Sequence, residues 1–400
     1  MSIIVQKYGG SSVADIEKLK KIARIIASVK QQGHDVVTVV SAMGKTTNQL
    51  IEMAKSLSPN PERRELDMLL STGERITMAL LCIALNDLGI RAISLTGSQA
   101  GIITNDRYND ASVIEVRPFR VQDELAKGQV VVIGGFQGVS YKRDITTLGR
   151  GGSDTSAVAL AAALNAERCE IYSDVDGVYT ADPNLIKDAK HLTEISYEQI
   201  QEMAEAGAKV LNAQAVQFAK KAKIAIYARS TFDSVRETIV REMAPTGKLE
   251  IIGVVQENEI AKITFIKKDI RNHLKDFFTL LDEKNIAVKE LHYNQNHSFE
   301  SENILFVISK KNIHNWNEVK KELQTNYKKD ILIDETLGAV SIIGEGFSRD
   351  NKTIIETLDL LNLNKIKFFG LTTTSFRLSL LVKTDKLTDV VELLHNYWIK

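Results

Sequence analysis

Gly149-Arg150-Gly151-Gly152-Ser153-Asp154-Thr155-Ser156 runs straight into the apolar, alanine-rich stretch Ala157-Val158-Ala159-Leu160-Ala161-Ala162-Ala163. It answers an amino-terminal segment, Ile3-Ile4-Val5-Gln6-Lys7-Tyr8-Gly9-Gly10-Ser11-Ser12, in which a short strand delivers a lysine into a Gly-Gly turn. A third pair, Gly134-Gly135, closes the apolar run Val130 to Ile133. Backbone N–H groups at a helix start, with a cation beside them, suit a polyanion. Glycine lets the backbone approach phosphate where a Cβ would block it, and the Ser11 and Ser12 hydroxyls can add donors. A lone Gly-Gly pair reads better as an ordinary βα turn with a surface lysine. Recurrence of the same chemistry in neighbouring units favours phosphate reading.

Around these loops the first 245 residues alternate β-rich and helical runs, the pattern of a mostly parallel sheet covered on both faces. Strands are predicted at 3–7, 35–41, 91–96, 130–133, 169–173 and 224–228. Helices are predicted at 15–30, 47–55, 61–88, 155–165, 197–206 and 213–223, the third either two helices or one bent at Gly73. Ligands of such sheets bind beyond the strand carboxyl ends, where the glycine loops fall. Composition shifts at Pro245-Thr246-Gly247, and a weak repeat of a small βαββαβ unit follows. The expected domains are 1–247, 260–332 and 338–400.

Lys plus Arg equals Asp plus Glu at 51 each, so a nucleic-acid binder's broad positive field is absent. No signal-peptide order is read at the amino terminus, and no apolar run is read as approaching the ~18 residues of a membrane span. Cys82 and Cys169 are the only cysteines, each in a segment that reads as buried, which points to a reduced, cytoplasmic protein without structural disulfides. Before residue 250 the only histidines are His34 and His191, away from the glycine loops. A histidine triad or zinc site is therefore not expected there, and the chemistry should not use imidazole.

Two further segments, Ser71-Thr72-Gly73-Glu74-Arg75 and Ser173-Asp174-Val175-Asp176-Gly177-Val178-Tyr179-Thr180-Ala181-Asp182-Pro183, complete a set of motifs in one order. With them the chain resembles the monofunctional aspartate kinases of the amino-acid kinase superfamily, closely over residues 2–245 and collinearly beyond. The resemblance implies an α/β chain: a three-layer αβα kinase fold followed by two ferredoxin-like ACT domains that pair between subunits as a homodimer. It also implies ATP with Mg2+, and L-aspartate as acceptor. The product would be 4-phospho-L-aspartate, the first step of aspartate-family amino-acid synthesis.

The resemblance assigns roles that chemistry supports. Lys7, with the Gly9, Gly10 and Ser11 turn, would neutralise the transferred γ-phosphoryl group. Asp154 would order Lys7 and the substrate loop. Arg150 offers a planar fork for a substrate carboxylate, with Gly151, Gly152 and Ser153 beside it. Glu74 would receive the substrate ammonium, and Ser41 and Thr47 would bond phosphate and substrate. Ser173, Asp174 and Tyr179 match the adenosine and ribose segment. Asp182, Asn184 and Lys209 match positions near the nucleotide, though the family often has a basic residue where Asn184 stands. A calcium loop at Asp174 to Gly177 would need a further acidic ligand where this chain has Leu185. The substrate carboxylate, with an ordinary pKa near ~3.9, is already ionised at neutral pH, so no general base is required. Magnesium would be held mainly by phosphate and water.

Rival readings keep the fold but change the acceptor to glutamate, N-acetylglutamate or uridylate, or make the chain an inactive amino-acid sensor. Glu74 argues against a neutral N-acetylated acceptor. Feedback-controlled relatives carry a Pro-Gly turn and an Asn-Ile-Asp or Asn-Ile-Glu strand start in each ACT unit. Here Lys267-Lys268-Asp269-Ile270, Asn285-Ile286-Ala287, Leu291-His292, Arg349-Asp350-Asn351 and Lys367-Phe368-Phe369 replace them. A degenerate feedback site is expected.

Overall fold

The computed structural model describes residues 2–149, 151–208, 211–232, 236–244, 250–266, 271–284, 286–296, 301–311, 313, 315–347 and 351–399. Arg150, Lys209, the 245–247 junction and, of the residues carrying the feedback expectation, 267–270, 285, 349 and 350 lie outside them. Two compact units emerge: residues 1–179, 190–205 and 209–245, and residues 180–189, 206–208 and 246–400.

The first unit runs β1 (Ile3–Tyr8), α1 (Ile16–Gln31), β2 (Asp35–Val40), α2 (Thr46–Leu57), α3 (Arg63–Leu70), α4 (Thr72–Asp87) and β3 (Ala92–Leu95). It continues through β4 (Ile102–Thr104), β5 (Val113–Val116), α5 (Phe119–Ala126), β6 (Val130–Gly134), β7 (Gln137–Ser140) and β8 (Ile145–Thr147). Then come α6 (Gly152–Ala163), β9 (Arg168–Ser173), β10 (Val178–Tyr179), β11 (His191–Leu192), β12 (Glu194–Ser196), α7 (Tyr197–Glu205), α8 (Ala213–Ala222), β13 (Ile226–Ser230) and β14 (Glu237–Arg241).

Eight strands form one sheet in the order β12-β14-β13-β9-β1-β2-β6-β3. All neighbours are parallel except β13 and β14. Buried on both faces, β1, β2 and β6 read as continuous apolar runs, as parallel strands do. Helix α1 begins at the Asp15 cap, whose carboxylate accepts from Lys18 N, and turns Leu19, Ile22 and Ile26 into a core shared with Leu81 and Leu85 of α4. Helix α6 has no polar face: Gly152 through Ala161 are all buried. A smaller sheet, β5-β4-β7-β8, stands beside the large one.

The stretch Arg63–Asp87 is long and apolar enough to pass for a membrane span, contrary to the sequence expectation. It breaks at Ser71 into α3 and α4 and buries Asp67 and Glu74, so it is a core helix pair. Helix α6 starts at Gly152, earlier than expected, which puts Asp154 inside the first turn instead of before it.

The second unit contains β15 (Glu250–Glu257), β16 (Ile260–Phe265), α9 (Arg271–Glu283), β17 (Val288–Asn296), β18 (Ser301–Ser309), α10 (Trp316–Tyr327) and β19 (Ile331–Asp334). These are followed by β20 (Leu337–Glu345), α11 (Lys352–Leu363), β21 (Phe368–Thr373), β22 (Arg377–Lys383) and α12 (Leu387–Trp398). Two four-stranded sheets result, β17-β18-β16-β19 and β15-β20-β22-β21. The first is a continuous βαββαβ unit. The second takes its outer strand, β15, from chain that precedes the first. Residues 180–189 belong to this unit as well, with Ala181 and Ile186 in a core with Val254, Val340 and Leu380.

Candidate active site

The carboxyl ends of β1, β2, β6 and β9 converge with the starts of α4 and α6. Lys7, second to last on β1, is only 8 % exposed, and its Nζ lies 2.7 Å from Asp154 Oδ1 in the first turn of α6. An ion pair so far removed from water keeps its charges only if paired and bonded, so each fixes the other. The turn that follows is tight. Ser12 N and Val13 N both donate to Gly9 O, and Gly44 N donates to Gly10 O. A Cβ on Gly10 would stand 3.0 Å from Ala42 O, so glycine is what lets the first two loops touch.

Ser41 Oγ lies 2.9 Å from Ser153 Oγ, which joins the β2 end to the first turn of α6. Gly135 follows β6 and packs under that turn: a Cβ there would sit 2.8 Å from Val39 Cγ1 and 2.9 Å from Ser153 Cβ. Gly151 caps α6 with φ 73°, a left-handed conformation that glycine adopts without strain. Thr47 is half-buried on the first turn of α2, where the hydrogen bond back to Met43 O is made by its neighbour Thr46.

Glu74 is buried at 2 % exposure beside Gly134, whose Cβ position would fall 3.3 Å from Glu74 Cβ. Ala42 N donates to its Oε1 at 3.0 Å, while Oε2 is buried and has no hydrogen-bond partner. Burial pushes this carboxyl up to about 7, against the backbone N–H groups of Glu74 and Ala42 that favour its anion. A buried carboxylate oxygen without a donor, on a side chain that Ala42 N ties to the end of β2, asks for a cationic group from a ligand.

At the β9 end, Ser173 Oγ accepts from Val175 N, and Thr231 N and Oγ1 both donate to Ser173 O. Thr231 Oγ1 also lies 2.6 Å from Ser12 Oγ, which links this corner to the glycine turn of β1. Tyr179 donates to Asp176 Oδ1 at 2.7 Å. Ser11 and Asp174 are exposed at the rim. Asp182 and Asn184 are exposed and bonded to each other, Asn184 N to Asp182 Oδ1 at 2.9 Å, within the segment that belongs to the second unit.

Sequence reasoning overlooked two contributors. Thr231 carried no motif, and its role emerges from the β9–β13 pairing. His191 pairs opposite Tyr179 across β10 and β11, with ring centroids 5.3 Å apart, and its Nε2 lies 3.1 Å from Asp176 O. It buttresses the turn between β9 and β10, and Gly177 is glycine because a Cβ would meet that ring at 2.5 Å.

The amino acid kinase family model matches residues 2–230. The aspartokinase of Mycolicibacterium smegmatis is 40 % identical over 406 residues, covering 99 % of this chain and 96 % of that protein. That of Bacillus sp. (strain MGA3) is 40 % identical over 399 residues, covering 99 % and 97 %. Among solved structures, E. coli aspartokinase III in complex with aspartate and ADP (R-state) superposes with a TM-score of 0.87 at 23 % identity, each chain covered in full.

Proposed function

The chain belongs to the amino acid kinase family as one of the aspartokinases, and from that premise we propose how its residues share the work of moving a phosphoryl group from ATP to L-aspartate. The observation that carries the assignment is a buried Glu74 Oε2 without a partner in a unit that also fixes the Lys7 ammonium on Asp154. Asp154 holds the Lys7 ammonium in place, so that it meets the charge spread over the γ-phosphoryl oxygens without reorganising. The Gly9–Gly10 turn and Ser11 present donors to the same phosphates. Glu74 takes the α-ammonium of aspartate, and Arg150 takes its α-carboxylate, with Ser41, Thr47 and the Gly151–Ser153 backbone setting the acceptor's orientation. The side-chain carboxylate of aspartate is ionised at neutral pH and attacks phosphorus directly, so positioning supplies the catalysis.

Ser173, Asp174 and Tyr179 hold the adenosine end, with Lys209 serving the same nucleotide. Among the described residues no group of three His, Cys, Asp or Glu side chains could cage a metal. That suits magnesium carried by the nucleotide's own oxygens and water, where it would offset phosphate charge. The two small sheets of the second unit are read as ACT domains that pair in a cytoplasmic homodimer. Their feedback site is degenerate.

Glutamate and N-acetylglutamate are the alternative acceptors. The free Glu74 oxygen favours an acceptor with an unblocked ammonium, and aspartate over N-acetylglutamate in particular. The test is hydroxylamine trapping of the acyl phosphate with each acid in turn. Hydroxamate formed with aspartate is the expected result; none with aspartate and a strong signal with another acid would overturn the reading.

A further inference from the structure

We infer that Asp67, outside the four sequence motifs' assigned roles, is a positioning residue that sets the acceptor half of the site, and the inference rests on the aspartate-kinase reading above. Asp67 lies on α3 and is fully buried. Its carboxylate gathers donors from two separate segments. Asn109 N donates to both oxygens at 3.1 Å, and Asn109 Nδ2 donates to Oδ1 at 2.5 Å. Thr147 N donates to Oδ2 at 3.0 Å, and Thr147 Oγ1 to Oδ1 at 2.5 Å.

Both segments lead to the acceptor loop. Thr147 ends β8 and is itself fully buried; after it Leu148 N bonds Phe136 O, and the chain enters Gly149. Asn109 is held at φ 68°, a strained conformation for a residue with a Cβ, and its neighbour Asp110 sits where a Gly149 Cβ would meet its Oδ1 at 2.7 Å. The carboxylate that secures these turns rides on the helix that runs into Ser71, Gly73 and Glu74. Gln137 Nε2 braces that junction by donating to Ser71 O at 3.0 Å.

One buried anion therefore ties the Glu74 side of the site to the start of the Gly149–Ser153 loop. Its hydrogen bonds come from Asn109 and Thr147, with none from the 173–179 segment among the described residues. Burial raises the Asp67 pKa, opposed first by the Thr147 hydroxyl and then by Asn109. With N–H donors on both oxygens, an amide of equal shape sets its own NH2 against at least one of them whichever way it is turned.

The experiment compares Asp67→Asn and Thr147→Val with the wild type, once the wild type has been shown to form the acyl phosphate. A hydrogen bond lost from a charged group corresponds to about 10-fold or more in affinity. Asp67→Asn is expected to raise the aspartate KM by at least about 10-fold while the ATP KM stays within about twofold. Thr147→Val, which keeps the backbone N–H and the shape, should move the aspartate KM in the same direction by less. A residue that only supports the fold would lower the yield or the melting temperature and leave both KM values alone. Unchanged KM values, or equal rises in both, overturn the inference. Should Asp67→Asn fail to fold, Thr147→Val decides: an unchanged aspartate KM refutes it. A wild type that phosphorylates a different acid refutes the acceptor assignment instead, and the same KM split is then read with that acid.

Discussion

Lys7 and Glu74 are both buried and ionisable, and they behave differently because of what surrounds them. Lys7 has a carboxylate at 2.7 Å, whereas Glu74 has one backbone donor on one oxygen and nothing on the other. On the role proposed for it, removing the Lys7 ammonium takes away charge that counts most while phosphorus is in flight. Lys7→Ala should thus lower kcat by ~10² or more with the aspartate KM little changed, as steady-state kinetics would report. For Glu74 the effect is on binding. Its carboxyl titrates at about 7 in the unliganded chain, so it is neutral below that pH and cannot hold an ammonium. Aspartate affinity should be full above about pH 7 and fall as pH drops below it, approaching tenfold per unit. Glu74→Gln should raise the aspartate KM and flatten that profile; a wild-type KM that is flat from pH 8 to about 5.5 would refute the role. Fold stability runs the other way. The folded state holds this proton more tightly than the unfolded chain, so the carboxyl's contribution is fully present below the ordinary glutamate pKa and lost as pH rises through about 7.

The elements that matter most are those whose ends approach too closely for a side chain. Helix α6 lies against β1, β2 and β9 with no exposed face through Ala161, and it comes within reach of Lys7 because Gly135 leaves room for Ser153. Gly135→Ala would push a methyl into Val39 and the Ser153 backbone, at 2.8 and 3.1 Å. A cost of about 1–3 kcal/mol in thermal or denaturant unfolding is expected. The shifted α6 start should lower kcat/KM further than stability alone explains. Wild-type turnover in this variant would mean that the Ser153–Asp154 corner tolerates displacement. Helices α1 and α6 and the core strands were legible because their apolar periodicity and glycine punctuation are local. The β5-β4-β7-β8 sheet was not, since its strands are three or four residues long and are made by pairing across distant turns.

In the whole molecule, the second unit takes in residues 180–189, which directly follow Tyr179 in the chain. On its edge strand β21, Phe368 and Phe369 are about two-fifths exposed, and Lys383 Nζ stands 5.2 Å over the Phe369 ring while Lys262 Nζ donates to Phe369 O. The Phe369 face already carries the Lys383 ammonium and its carbonyl the Lys262 ammonium, and these like charges repel an effector's ammonium. Lysine and threonine, alone or together at millimolar levels, should therefore inhibit weakly or not at all in an activity titration. Strong inhibition would show that other residues rebuilt the site. Much of this protein could be read from the order of residues alone: the mostly parallel sheet, and the lysine and glycine loops at the ends of its strands. These follow from short-range patterns, where a glycine or a charge has meaning within its own turn. What required the folded chain were relations between remote segments. The capture of β15 by β20, the Ser12–Thr231–Ser173 corner and the Asp67 clamp each join residues far apart in the chain. A buried carboxylate or an edge strand takes whatever donors packing brings to it, and nothing in its own neighbourhood of sequence names them.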